Sequence, residues 1–145
     1  MRKTLLVLVL LLGLLTGCNS DLGSGKMIEI NQSELTDLSA KKEPYFLYAT
    51  SILETDSESE SIIKLDMQSA IKDEKVDVYY LDLHKANINF DELEALNLES
   101  STSNLAFYHD GVFKEEIDLL DIDENELSSQ VQEFIQKIKS RYLDN

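Results

Sequence analysis

The chain has 145 residues, of which 28 are acidic, 13 basic and only one a cysteine. That length suits one domain, and a formal net charge of −15 argues against a nucleic-acid binder, whose affinity comes from neutralising phosphates with Lys and Arg. A lone cysteine excludes an internal disulfide, a CxxC motif and any cysteine-based structural zinc site.

In chain order, the first segment reads as a targeting signal. Arg2 and Lys3 form a short positive start, and residues 4–15 are nearly all Leu, Val and Gly. That apolar run is about a dozen residues, against the ~20 needed for a helix to span a bilayer. It ends in Leu15-Thr16-Gly17-Cys18, which resembles the bacterial lipoprotein box. There the cysteine thiol is diacylated and the signal is cut just before it. The expected division is a signal peptide over 1–17, a lipidated tether over 18–26 and a folded domain over 27–145. Cleavage before Cys18 would leave 128 residues in which 28 acidic residues face 11 basic ones, a net charge of −17. Two acyl chains hold a protein stably where one does not. The expected location is therefore the extracytoplasmic face of a bacterial cell membrane, with no exposed thiol remaining.

Residues 19–26 (NSDLGSGK) are polar and rich in Gly and Ser, as in a flexible linker. Residues 27–30 form a short apolar run that predicts a strand. Asn31 with Glu34 predicts a capping box for a helix turning Leu35 and Leu38 inward, ended before Pro44. Residues 45–50 (YFLYAT) are aromatic or apolar nearly throughout, the pattern of a central strand buried on both faces. After an acidic, serine-rich run, Ile63, Met67, Ala70 and Ile71 recur on one helical face, with Ser57 and Glu60 as the expected capping box. Residues 76–83 (VDVYYLDL) predict the next strand, with Asp77 and Asp82 capping its ends. Asn89 with Glu92 predicts a short helix carrying Phe90, Leu93 and Leu96. Residues 105–108 and 112–116 predict strands joined by an Asp110-Gly111 hairpin turn. Asp123 with Glu126 opens a final helix whose Leu127, Val131, Phe134, Ile135, Ile138 and Tyr142 form one apolar stripe. Its terminal Lys137, Lys139 and Arg141 suit the helix dipole.

The predicted order is βαβαβαββα, an α/β fold with a mixed central sheet and helices on both faces. With YFLYAT before a loop and helix, VYYLDL as the following strand, and LAFYHDG leading into VFKEE, the chain resembles the thioredoxin family. The resemblance covers roughly residues 27–142. It implies an active-site loop after the central strand, where that family keeps a CxxC whose first thiol is acidified by the helix N-terminus. It also implies a cis-proline facing that loop. Here the first slot falls on residues 51–60, beginning Ser51, Ile52, Leu53, Glu54, Thr55 and Asp56. The second falls near Ser103 and Asn104, while Pro44 is the only proline. Neither slot holds the family's residues, so the resemblance implies the fold without thiol–disulfide exchange. The acidic run is expected to be tolerated because it lies in an exposed loop, with Ser103 and Asn104 opposite it as a second binding loop.

Other chemistry finds little footing. A calcium loop counted from Asp121 needs Gly at its sixth position and Glu at its twelfth, where the chain has Glu126 and Gln132. His84 and His109 read as surface histidines at strand ends, no GxSxG elbow is present, and the glycines form no phosphate loop. The expectation is a non-catalytic, membrane-anchored thioredoxin-like module with no cofactor and no metal, which binds a protein or a peptide. The alternative is an accessory protein for redox chemistry or peptide export that depends on a partner's thiols. A two-lobed solute receptor needs a longer chain.

Overall fold

Five strands and four α-helices make up most of the computed structural model, which describes residues 22–51, 57–86, 88 and 103–144. In chain order they are β1 (Leu22–Ile30), α1 (Gln32–Lys41), β2 (Tyr45–Ala49), α2 (Ser57–Glu74), β3 (Val76–Leu81), α3 (Leu83–Ala86), β4 (Asn104–His109), β5 (Val112–Asp118) and α4 (Glu124–Ile138). A π-helical turn, Lys139–Leu143, follows α4. The sheet order is β1-β3-β2-β4-β5. β1, β3 and β2 are parallel, and β4 and β5 add antiparallel pairings.

Side chains of β2 alternate between two cores, as the twofold period of a strand requires. Phe46 and Tyr48 face α2 and α4, packing with Met67, Ile71, Val131 and Ile135. Tyr45, Leu47 and Ala49 face Leu35 and Leu38 of α1, together with Leu83 and Ile88. Every residue of β2 is buried, the condition for a strand covered on both faces. The predicted capping box of α1 is present, with Asn31 N donating to Glu34 Oε2 at 2.8 Å and Glu34 N to Asn31 Oδ1 at 3.0 Å. Asp110 and Gly111 adopt φ of 59° and 73° in the β4–β5 turn, the left-handed pair that matches the twist of a tight hairpin.

Three boundaries differ from the sequence reading. β1 starts at Leu22 rather than Met27, so residues 22–26 are part of the sheet and not a tether. Asp77 Oδ1 makes this possible by accepting from Ser24 N at 2.8 Å and Lys26 N at 2.9 Å across an irregularity in the β1–β3 register. Gly25 is required there: its φ is +81°, and an added Cβ would lie 2.5 Å from Lys72 Cα on α2. Second, β3 ends at Leu81. Asp82 then starts α3, its Oδ1 accepting from Lys85 N at 3.1 Å. Third, the helix expected from Asn89 lies outside the described residues. Among the described residues, no helix is long and apolar enough to cross a membrane.

Candidate functional site

The parallel strands end together, and the links leaving that end hold the residues singled out by the sequence. β2 ends at Ala49, whose carbonyl accepts from Ser103 N at 2.9 Å. Ser103 N–H is therefore held at the point where β4 begins. Its φ is +59°, a left-handed conformation uncommon outside glycine, and its carbonyl accepts from Leu119 N at 3.1 Å just past β5. Thr50 completes this end, with its N–H on Leu81 O at 3.1 Å and its Oγ1 accepting from Leu83 N at 3.0 Å.

The centre of the cluster is Glu60. It lies one helical turn before Ile63 on the inward face of α2 and is only 6% exposed. Its Oε1 accepts from Ser51 N at 2.7 Å and from the Ser103 hydroxyl, and its Oε2 accepts from the Tyr48 hydroxyl. One carboxylate thus ties together the end of the central strand, the start of α2 and the entry to β4. Burying a carboxylate is costly unless its lone pairs are occupied, and these donors occupy them.

Two expectations are corrected here. Ser51 and Ser103 are 1% and 0% exposed, so the ends of the two proposed binding loops are buried and bonded inward rather than displayed. Glu60 does not reach back to the helix start as the far half of a capping box, because its carboxylate is directed into the protein. Ile52, Leu53, Glu54, Thr55 and Asp56 lie outside the described residues, as does Cys18. Asn104 Oδ1 is buried with no hydrogen-bond partner among the described residues.

A second layer backs this cluster. Tyr48 stacks on Tyr80, with ring centroids 5.8 Å apart. The Tyr80 hydroxyl donates to Asp82 Oδ2 at 3.0 Å, and the Lys64 ammonium lies 4.2 Å from the Tyr80 ring centroid. Burial, and then the Asp82 carboxylate beside it, push the Tyr80 hydroxyl well above the usual tyrosine value. Burial alone would push Asp82 up. The Lys85 N–H, the Tyr80 hydroxyl and the charges of Lys85 and Lys64 outweigh it and hold Asp82 below the usual carboxylate value.

Beside the cluster, between α2 and the link from β5 to α4, lies an open cleft of about 130 Å³. Ile62, Ile63, Leu119, Leu120, Ile122 and Leu127 line it, with Ser59 and Glu124 at its polar rim. Leu120 is 40% exposed. Sequence reasoning missed both features. Glu60 could have been found, since it shares a helical face with Ile63, Met67 and Ile71; the apolar Leu119, Leu120 and Ile122 inside an acidic run were the signal for the cleft. The acidic residues of that run have local uses: Asp118 Oδ1 accepts from Leu120 N at 3.0 Å and Asp123 Oδ1 from Asn125 N at 2.9 Å. Among the described residues, no group of three or more His, Cys, Asp or Glu side chains is placed to hold a metal ion.

No protein-family model and no curated protein matches the chain. Solved structures do. Thioredoxin O2 from Arabidopsis thaliana, in its oxidised state, is similar with a TM-score of 0.50 and 21% identity, over 75% of this chain and 94% of that one. A mutant thioredoxin from Halobacterium salinarum has a TM-score of 0.49 and 16% identity, over 78% of this chain and 94% of that one. The chain has a thioredoxin-like fold, with a five-stranded mixed sheet between helices.

Proposed function

We propose that this protein is a lipid-anchored, extracytoplasmic and non-catalytic thioredoxin-like module that binds a segment of a protein or peptide. The cleft between α2 and the β5–α4 link carries the reading. It is open, lined by aliphatic side chains and edged by Ser59 and Glu124, which suits an apolar side chain of an extended segment with a polar or basic residue beside it. The absence of chemistry rests on the sequence, whose one cysteine falls at the lipidation motif. It also rests on the positions that correspond to the family's reactive loops, where the Ser51 N–H and the Ser103 hydroxyl donate to Glu60. The Ser103 hydroxyl is 0% exposed, so a substrate has no path to it as a nucleophile.

The test is photo-crosslinking in cells, with the anchor intact, from a probe replacing Leu120. Ser103 is too buried to serve. One dominant partner is expected, with its yield falling at least about tenfold when Ile122→Asp places a charge in the cleft. Equal labelling from a probe at Leu65, an exposed leucine on α2 (69% exposed), would overturn the binding role of the cleft. Purified protein is expected to reduce insulin disulfides no faster than buffer, and measurable reductase turnover would overturn the non-catalytic reading.

A further inference from the structure

Pairing of residues 22–26 with the sheet shortens the link between anchor and domain. Only Asn19, Ser20 and Asp21 separate Cys18 from Leu22, the first residue of β1. Four Cα–Cα steps of 3.8 Å reach at most ~15 Å, whatever their conformation. The start of β1 is therefore held within that distance of the headgroups. Measured along its neighbour, β1 runs from the level of Val76, opposite Leu22, to that of Leu81, opposite Ile30, ~17 Å at the rise of a strand, and ends level with the Ser51–Ser103–Glu60 cluster.

Charge is sorted along the same axis. α1, α2 and α4 each start at the far end and run back towards the anchored end, with acidic first turns and basic last turns. The far end carries Glu34, Glu58, Asp121, Asp123, Glu124 and Glu126, while Lys85 there is paired with Glu29 and Asp82. The anchored end is close to neutral, with Lys26, Lys41, Lys42, Lys72, Lys75, Lys139 and Arg141 offsetting Glu43, Asp73, Glu74, Asp77, Asp110 and Asp144 there. An anionic leaflet attracts nearby Lys and Arg and repels nearby carboxylates, and it is felt only within about a Debye length, ~8–10 Å. At a separation of ~17 Å, about two Debye lengths, the two ends of the sheet feel it differently.

We infer that the domain stands end-on on an anionic bilayer, with the α1–β2 turn and the β4–β5 hairpin tip against the headgroups and the cleft facing outward. This rests on lipidation of Cys18. It adds that the link is too short, and the far end too acidic, for the cleft to face lipid. The partner must then be reached from the aqueous side, as a soluble segment and not one embedded in the same membrane.

The full lipidated chain in vesicles of phosphatidylcholine and phosphatidylglycerol provides the test. Acylated Cys18 cannot react, so Val112→Cys on the hairpin and Ser33→Cys at the start of α1 each accept a single fluorophore. Quenching by a headgroup-linked quencher is expected to be several-fold stronger at position 112 than at position 33. Replacing phosphatidylglycerol by phosphatidylcholine should shrink that contrast. Equal quenching, or stronger quenching at position 33, overturns the end-on orientation while leaving the anchor intact. Failure of the chain to float with the vesicles overturns the anchor and the orientation together.

Discussion

Glu60 decides the local structure at the candidate site. Removing it by Glu60→Ala leaves the Tyr48 hydroxyl, the Ser51 N–H and the Ser103 hydroxyl without their acceptor. Each buried group left unpaired costs ~1–3 kcal/mol, so a loss of about 3–5 kcal/mol is expected, close to that of breaking a buried ion pair. Glu60→Gln keeps one oxygen for Ser51 and Ser103, and its amide can donate to the Tyr48 hydroxyl; about 1–2 kcal/mol is expected. Urea unfolding of the soluble domain measures both. A midpoint for Glu60→Ala equal to that of an exposed control such as Glu58→Ala would mean that the carboxylate does not tie the loops together. Ser103 belongs to the same unit, since its left-handed backbone is held by bonds to Ala49 and Leu119.

At the scale of elements, the first strand is the most exacting. Its glycines read as linker composition, yet they allow β1 to continue past Met27 and cross close to α2. Gly25→Ala is expected to destabilise the domain by at least about 2 kcal/mol, because φ is positive and the contact is with backbone, which cannot rotate away. Asp77→Ala, which removes the exposed acceptor of two β1 amides, should cost about 1 kcal/mol. Hydrogen exchange of the β1 amides would show the difference: fast exchange confined to residues 22–26 is expected for Asp77→Ala, against a global loss for Gly25→Ala. Unchanged exchange in the Asp77 variant would mean that the carboxylate does not hold the start of the strand. At the other edge, β5 is clamped to α4 by Glu115, which pairs with Lys137 and Arg141 and accepts from the Tyr142 hydroxyl at 3.1 Å.

For the whole molecule, acid works in two directions. Burial pushes Glu115 up, but Lys137, Tyr142 and Arg141 outweigh it and hold it below its ordinary value of 4.5; Asp82 is likewise held below its ordinary value of 3.8. For depressed carboxylates the stabilisation is complete above the ordinary value and is lost as pH falls through the lowered one. Protonating the many unpaired carboxylates relieves repulsion in a chain of net charge −15. The expected thermal midpoint is therefore level or slightly rising from pH 7 to about 5, and falls below the ordinary carboxylate range. Glu115→Gln should lower the plateau and soften the acid decline. A decline of the same depth in that variant would show that Glu115 is not among the linked groups.

The sequence by itself determined the order of the five strands and the helices that follow β1, β2 and β5, the two-faced burial of β2, the N-caps of α1 and α4 and the Asp110-Gly111 turn, because each follows from side-chain period or from a local hydrogen bond within a few residues. It also showed that residues 51–56 and Ser103 include no cysteine and no proline. Only the tertiary structure decided that β1 begins at Leu22, since that depends on Asp77 from another strand. Nor could local pattern show that Ser51 and Ser103 converge on Glu60, a carboxylate 43 residues from Ser103. An acidic side chain in an acidic run reads as solvated until the fold brings its donors to it. Partners so far apart in the chain meet only through the packing of α2 against the sheet.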